Sequence, residues 1–247
     1  MPIDFRHVRK QFEKSMADYD KNAVVQDLTA SKLMFELLKI SDHFENVLEI
    51  GTGTGLLTKR VAKDLKFKNF YANDLVEKSK TYVTKFIPTA HFLCGNAAKI
   101  KVERKVDLIL SNAVLQWFQN QEKILEILKF RLQKDGILAF TTFSPSNFKE
   151  ITEITGLSLQ YKTLKDMNKI LKNLGFEILY SEEFFEPVKF NTPLELLAHM
   201  KKTGVNSLSD RTWTVKEVKE FCDKYSKLHK QVVLTYSPII IIARKIG

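Results

Sequence analysis

Acidic residues are the scarce charge in this 247-residue chain: 29 Asp and Glu stand against 39 Lys and Arg, a formal net charge of +10. Cysteine is scarcer still. Cys94 and Cys222 are too few for a disulfide framework or, alone, for a four-ligand zinc site, so no metal is expected. No apolar run approaches the ~18 residues needed to cross a bilayer. The longest, Ile239 to Ala243, has the length of a buried strand. The N-terminus mixes Arg6, Arg9 and Lys10 with Asp4 and Glu13 and has no apolar core of signal-peptide type. There are no internal repeats, no low-complexity linker, no Lys/Arg block and no RNA-binding aromatic signature. These absences argue against secreted disulfide scaffolds, membrane proteins and dedicated nucleic-acid modules. They predict a cytoplasmic, monomeric globular protein.

What is present is ordinary globular material, 44% hydrophobic and 28% charged. The basic excess is unevenly spread. Residues 189–247 carry 11 Lys and Arg against 5 Asp and Glu, while 151–188 carry 4 against 6. Charge alone fits nucleic acid, an anionic membrane, an acidic protein partner or simple solubility.

Hydrophobic spacing organises the chain. Phe5, Val8, Phe12 and Met16 predict a first helix that breaks at Asp18-Tyr19-Asp20, and Ala23 to Ile40 a second. Apolar runs at 46–50, 70–74, 91–94, 106–110 and 136–143 alternate with helical segments at 56–65, 78–86 and 124–132. That alternation predicts βαβ units and a parallel sheet. Beyond it, 164–174 reads as helix, 176–188 as a strand with an interruption, and 193–232 as helices. Val233 to Arg244 reads as one strand whose Pro238 argues for an edge or a bulge.

Glu49-Ile-Gly51-Thr52-Gly53-Thr-Gly55 follows the first strand and opens a helix. Its glycines let backbone approach a ligand, and the helix start presents amides to it. Asp74 ends the next strand, where a carboxylate can accept from ribose hydroxyls. Leu56 stands where a dinucleotide fingerprint needs its third glycine, and the Gly-Lys-Ser/Thr ending of a P-loop is absent. Glu49 would repel a pyrophosphate and accept an amino group, which favours S-adenosylmethionine over a dinucleotide. Two further strand ends face the same crevice. Asn96-Ala97 can meet the adenine amino group, and Ser111-Asn112, with Gln116 and Trp117 beyond, lie beside the transferable methyl.

Together these residues resemble the class I S-adenosylmethionine-dependent methyltransferases over about residues 40–145. The resemblance implies a Rossmann-like α/β fold: a mostly parallel seven-stranded sheet with its last strand antiparallel. A narrower resemblance spans nearly the whole chain. Phe12, Ala17-Asp-Tyr19-Asp20, Ala23 and Gln26 are similar to the N-terminal signature of the malonyl-acyl-carrier-protein O-methyltransferases of biotin synthesis. So are Ser111 to Trp117, Thr142 to Glu150, His199 to Asn206 and Leu234 to Pro238. This family implies methyl esterification of the free carboxylate of a malonyl thioester on an acyl carrier protein or coenzyme A, with S-adenosylhomocysteine as by-product. The alternatives are another small carboxylate or small molecule, or RNA.

The resemblance places the cofactor against Tyr19, Gln26, Glu49, Gly51, Thr52, Gly53, Gly55, Asp74, Leu75, Asn96, Ala97, Ser111 and Asn112. The substrate is expected against Tyr19, Trp117, Asn206 and Arg211. A carboxylate is ionised at pH 7 and needs no general base, which suits a chain with no histidine in a generic motif. Arg211 is the expected carboxylate clamp and Tyr19 a lid residue. A single domain is expected: a helical lid at 1–40, a core sheet at 41–188, a helical cap insertion at 189–232 and the last strand at 233–247. An acidic carrier protein fits the basic surface; nucleic acid and membrane are not expected as partners.

Overall fold

The computed structural model describes residues 5–203 and 213–247. Its main sheet has seven strands in the order β3-β2-β1-β4-β5-β9-β6. These are β1 (His43–Ile50), β2 (Lys66–Asp74), β3 (His91–Cys94), β4 (Val106–Ser111), β5 (Leu132–Phe143), β6 (Phe176–Glu183) and β9 (Pro238–Lys245). The first five pair in parallel, and β9 runs antiparallel to both neighbours. Strands β1 and β2 are partly exposed over their first halves and wholly buried over their last four residues. Both faces of the sheet are therefore covered where the strands end, as parallel sheets require.

Helices supply that cover. On one face α2 (Val24–Leu38), α3 (Thr58–Asp64) and α4 (Ser79–Phe86) bury Leu33, Leu37, Val61 and Val83 against Val47, Leu108 and Ile240. On the other, α5 (Gln121–Arg131) and α7 (Leu164–Asn173) bury Ile124, Leu128 and Leu171 against Leu48, Ile109 and Ile241. The run Ile239–Ala243 touches both layers. At ~25 cal/mol per Å² of apolar area, such two-sided burial is the main force holding the sheet together.

Three sequence expectations change. Helix α1 (Phe5–Asn22) does not break at Asp18-Tyr19-Asp20. It continues because Asn22 caps it from within, its side chain donating to the Asp18 carbonyl at 2.7 Å. The break falls at Ala23, so Tyr19 sits on the last turn of α1. The segment read as one interrupted strand is two, β6 and β7 (Glu186–Phe190). The C-terminal run also divides, into β8 (Val232–Tyr236) and β9. Strands β7 and β8 form a separate antiparallel pair. Pro238 marks neither an edge nor a bulge: β9 lies inside the sheet, and Pro238 is its first residue, where a missing N–H costs no ladder bond.

The small sheet carries a cap. Helices α6 (Lys149–Thr155), α8 (Pro193–Lys202) and α9 (Val215–Leu228) pack Ile151, Leu196, Met200, Phe221 and Tyr225 around Leu234 and Tyr236. Thr192 and Thr214 start α8 and α9 by accepting the third-position amides, and Thr214 with Glu217 completes a capping box.

Candidate functional site

A cleft opens at the carboxyl ends of β1, β2, β4 and β5, with an empty volume of about 1080 Å³, open solvent at its mouth included. Its floor is the turn after β1. Gly51 adopts φ +69°, and a Cβ there would lie 2.2 Å from Val114 Cγ2, so only glycine fits. Its N–H donates to the Asn73 carbonyl at 2.8 Å. The next glycine ties the turn to β2: Gly53 N–H donates to Asp74 Oδ2 at 2.7 Å, while Val76 N–H donates to Oδ1 at 2.8 Å. Asp74 is thereby fixed, with lone pairs left on both oxygens.

Two carboxyl groups are buried in this wall without a cation beside them. Glu49 is 1% exposed, and burial, reinforced by nearby Asp74, pushes its pKa up to about 8 against the pull of the Thr58 hydroxyl. That hydroxyl donates to Oε2 at 2.8 Å. Burial also raises Asp74, opposed by the Val76 and Gly53 amides. Such a wall disfavours an anion and favours a cationic, hydroxyl-rich guest. Two neighbouring acceptors are unmet: Gln26 Oε1 and Thr52 Oγ1 are buried without a hydrogen-bond partner. Native structures rarely leave such atoms unpaired unless a ligand or water meets them. An amino-acid ammonium and a ribose diol, the polar ends of S-adenosylmethionine, match these requirements.

The structure brings Tyr19, Gln26, Glu49, Gly51, Thr52, Gly53, Asp74, Leu75, Asn112 and Trp117 to the cleft wall. Asn112 spends its side chain on structure. Its Oδ1 accepts the Thr29 and Thr141 hydroxyls at 2.9 and 2.7 Å, and its Nδ2 donates to the Gln26 carbonyl at 2.9 Å. It pins α2 to the strand ends and leaves the wall its backbone and apolar surface. Gly55, Asn96, Ala97 and Ser111 are not brought to the wall. Gly55 packs under the Phe86 ring. Asn96 turns its Oδ1 to the Ala98 amide at 2.9 Å, Ala97 joins the core, and Ser111 donates to the Ile50 carbonyl at 3.1 Å. Asn206 and Arg211 lie outside the described residues.

Helix α1 roofs the cleft with Val8, Arg9, Phe12 and Tyr19. The Asp20 carboxylate accepts the Thr54 hydroxyl and fastens the end of that helix to the glycine turn. Phe12 and Tyr19 meet edge to face, ring centroids 5.1 Å apart. Burial, helped by Asp20 and Asp74, raises the Tyr19 phenol well above its usual range. The far end of the cleft was not anticipated residue by residue. Phe143, Asn147, Phe148, Tyr161, Thr203 and Tyr236 line it. Asn147 and Tyr236 stand in segments already singled out for their resemblance. Tyr161 is a lone aromatic in a polar stretch and carries no sequence signal. Among the described lining residues there is no histidine, lysine or cysteine, and Arg9 is the one cation. Its charge reaches Cys94, at the end of β3.

Known proteins place this arrangement. Residues 48–140 match the family described as "Methyltransferase domain". A solved N-methyltransferase from Bradyrhizobium japonicum, in complex with S-adenosyl-l-homocysteine, shares the fold at TM-score 0.63 and 12% identity, over 97% of this chain and 98% of that one. The magnesium protoporphyrin IX methyltransferase of Synechocystis, with bound S-adenosylhomocysteine, does so at TM-score 0.54 and 16% identity, over 89% of this chain and 82% of that one. Full-length relatives are nearer in sequence. The malonyl-[acyl-carrier protein] O-methyltransferase of Bacteroides thetaiotaomicron is 35% identical over 96% of this chain and 97% of its own length. That of Calditerrivibrio nitroreducens is 36% identical over 96% of both. With the glycine turn, the paired carboxyl groups and the whole-length match in agreement, the chain is an S-adenosylmethionine-dependent methyltransferase and belongs to the malonyl-[acyl-carrier protein] O-methyltransferase family.

Proposed function

We propose that this enzyme methylates the free carboxylate of a malonyl group carried as a thioester on an acyl carrier protein. The observation that carries the reading is the chemistry of the cleft's far end. Among the described residues it offers hydrogen-bonding phenols, an amide and apolar rings, and no histidine, lysine or carboxylate lines it. An alcohol, or an amine that arrives protonated, must give up a proton to such a base. A carboxylate, with a pKa near 4, does not.

Bound S-adenosylmethionine supplies a methyl group activated on a sulfonium. Glu49 is placed to pair with its ammonium and Asp74 to accept from its ribose hydroxyls, with the unmet Gln26 Oε1 and Thr52 Oγ1 as further acceptors. The residues then have three tasks. Gly51 to Gly53 and Asp74 fix one reactant, the far end fixes the other, and the two meet in line. Such alignment accounts for several kcal/mol of a barrier. Helix α1 closes over them, and Tyr19 and Phe12 keep water from the electrophile. With S-adenosylmethionine bound, a carboxylate oxygen would bond to the methyl carbon as the carbon–sulfur bond broke, its electron pair passing to sulfur. No proton moves.

The test is mass spectrometry of products from malonyl-carrier protein, malonyl-coenzyme A, free dicarboxylic acids and tRNA, each offered with S-adenosylmethionine. The methyl ester of the malonyl-carrier should form fastest. Preferential methylation of a free acid or of tRNA overturns the reading.

A further inference from the structure

The far end of the cleft holds two phenols, each with its hydroxyl oxygen engaged by a neighbour, and one of those neighbours can be oriented without ambiguity. Asn147 is 1% exposed. Its Oδ1 faces the Ser237 amide at 3.1 Å, and a backbone N–H can only donate, so Oδ1 is the acceptor and the amide's orientation is fixed. Its Nδ2 is therefore what meets the Tyr161 hydroxyl, at 3.1 Å, and Nδ2 can only donate. The Tyr161 oxygen accepts on one side. Its own hydrogen is left for the other side, where the residue borders the cleft.

The scaffold behind this arrangement is stiff. Ser144 N–H donates to the Ser237 carbonyl at 2.9 Å, the two serine hydroxyls meet at 2.7 Å, and Phe148 N–H donates to the Thr235 carbonyl at 2.8 Å. Tyr236 is 1% exposed, with the Phe148 ring edge-on at 4.7 Å. Its hydroxyl lies 2.8 Å from His199 Nε2. In the tautomer with hydrogen on Nε2, the histidine donates and the Tyr236 hydrogen turns to its other side, where the Thr203 hydroxyl and the cleft lie. Burial keeps His199 neutral and holds both phenols well above their usual pKa, so both remain donors at working pH.

We propose that Tyr161 and Tyr236 donate the hydrogen bonds that seat the substrate carboxylate, and that Asn147 and His199 are positioning residues that turn the two phenol hydrogens toward it. The inference rests on the carboxylate reading above. It replaces a cationic clamp with neutral donors, which has a chemical rationale. The carboxylate loses charge as it bonds to the methyl carbon. A guanidinium would stabilise the free anion more than the transition state, and so raise the barrier. Neutral phenols orient the anion with less of that penalty. They also hold the uncharged ester more weakly than the acid, which favours product release.

The test measures binding, with S-adenosylhomocysteine present, of carrier protein bearing malonyl or acetyl groups. These differ in the carboxylate alone. Wild type should prefer malonyl, and Tyr161→Phe or Tyr236→Phe should each reduce that preference about tenfold, the range for a hydrogen bond to a charged group. Affinity for S-adenosylhomocysteine should not change. Asn147→Asp keeps an acceptor for Ser237 N–H but offers Tyr161 an acceptor in place of a donor. It should reduce the malonyl preference at least as far as Tyr161→Phe does and raise KM for the malonyl-carrier more than it lowers kcat. His199→Gln, which retains an N–H, should keep more of the preference than His199→Leu. No malonyl preference in wild type would overturn the carboxylate reading itself. A wild-type preference that survives both Tyr→Phe changes would overturn the seat while leaving that reading intact. A preference unchanged in Asn147→Asp, or equal in the two His199 variants, would remove the positioning roles.

Discussion

Glu49 carries the most informative proton in the molecule. It is buried beside Asp74, and its pKa is pushed up to about 8, so at pH 7 the free enzyme holds it protonated. An ammonium docked on it would return the group toward its ordinary range, and the proton would leave. Cofactor binding at pH 7 should therefore release about one proton, by linkage. Calorimetry in buffers of different ionisation enthalpy reads this directly. Affinity should rise with pH and level off above about 8. The sign for stability is opposite. A carboxyl whose pKa is raised on folding binds its proton more tightly in the folded state, so its contribution is lost as pH climbs from its ordinary value of 4.5 to about 8. The unliganded enzyme should lose melting temperature over that window, and Glu49→Gln should abolish both the loss and the proton release. Wild-type binding without proton release would mean that Glu49 is already ionised in the free enzyme.

At the scale of elements, one fastening of the second sheet is a buried carboxylate. Glu150, in the first turn of α6 and 4% exposed, accepts Thr235 N–H at 3.0 Å and also accepts the Thr235 hydroxyl. It fixes β8, which carries Tyr236, against the start of α6. Glu150→Ala leaves a buried N–H without a partner, at a cost of about 1–3 kcal/mol. The melting temperature should fall by roughly 2–10 °C for a domain of this size. Cofactor affinity should hold, since Glu49 and Asp74 sit on other strands, while KM for the carrier substrate rises. An unchanged melting temperature would show that the fastening is not needed.

The same elements show which parts of the structure were legible in sequence. Strands β1, β2, β4 and β5 were, because burial on both faces writes a continuous apolar run, and the glycine turn was, because Gly51 admits no side chain. The interruption in 176–188 was too, but the division of 233–244 into two strands was not. Ser237, where β8 passes into β9, is fully buried and bonded to Ser144, and that pairing between distant segments leaves no local pattern. Asn96 and Ser111 were plausible ligands by position, yet each satisfies its oxygen within a residue or two of backbone or across a strand. Tyr161 was invisible because its role depends on Asn147, whose orientation is set by Ser237.

For the whole molecule, the +10 charge is where sequence gave the least direction and the fold gives more. Lys201 and Lys202 are exposed on the last turn of α8, and the next residue, Thr203, lines the far end of the cleft. Exposed lysines on α9, among them Lys216 and Lys224, extend the basic surface across the cap. A cation this close to the substrate entrance acts on an incoming acidic protein before contact, within a Debye length of about 8 Å at physiological salt. A small thioester such as malonyl-coenzyme A should engage fewer of these lysines than a folded carrier does. Reversing Lys201 and Lys202 to Glu should therefore raise KM for malonyl-carrier protein several-fold at low salt, mainly through slower association. The effect on malonyl-coenzyme A should be smaller, and the difference should shrink as salt is added. Equal changes for both substrates at every salt concentration would mean that these lysines serve solubility alone.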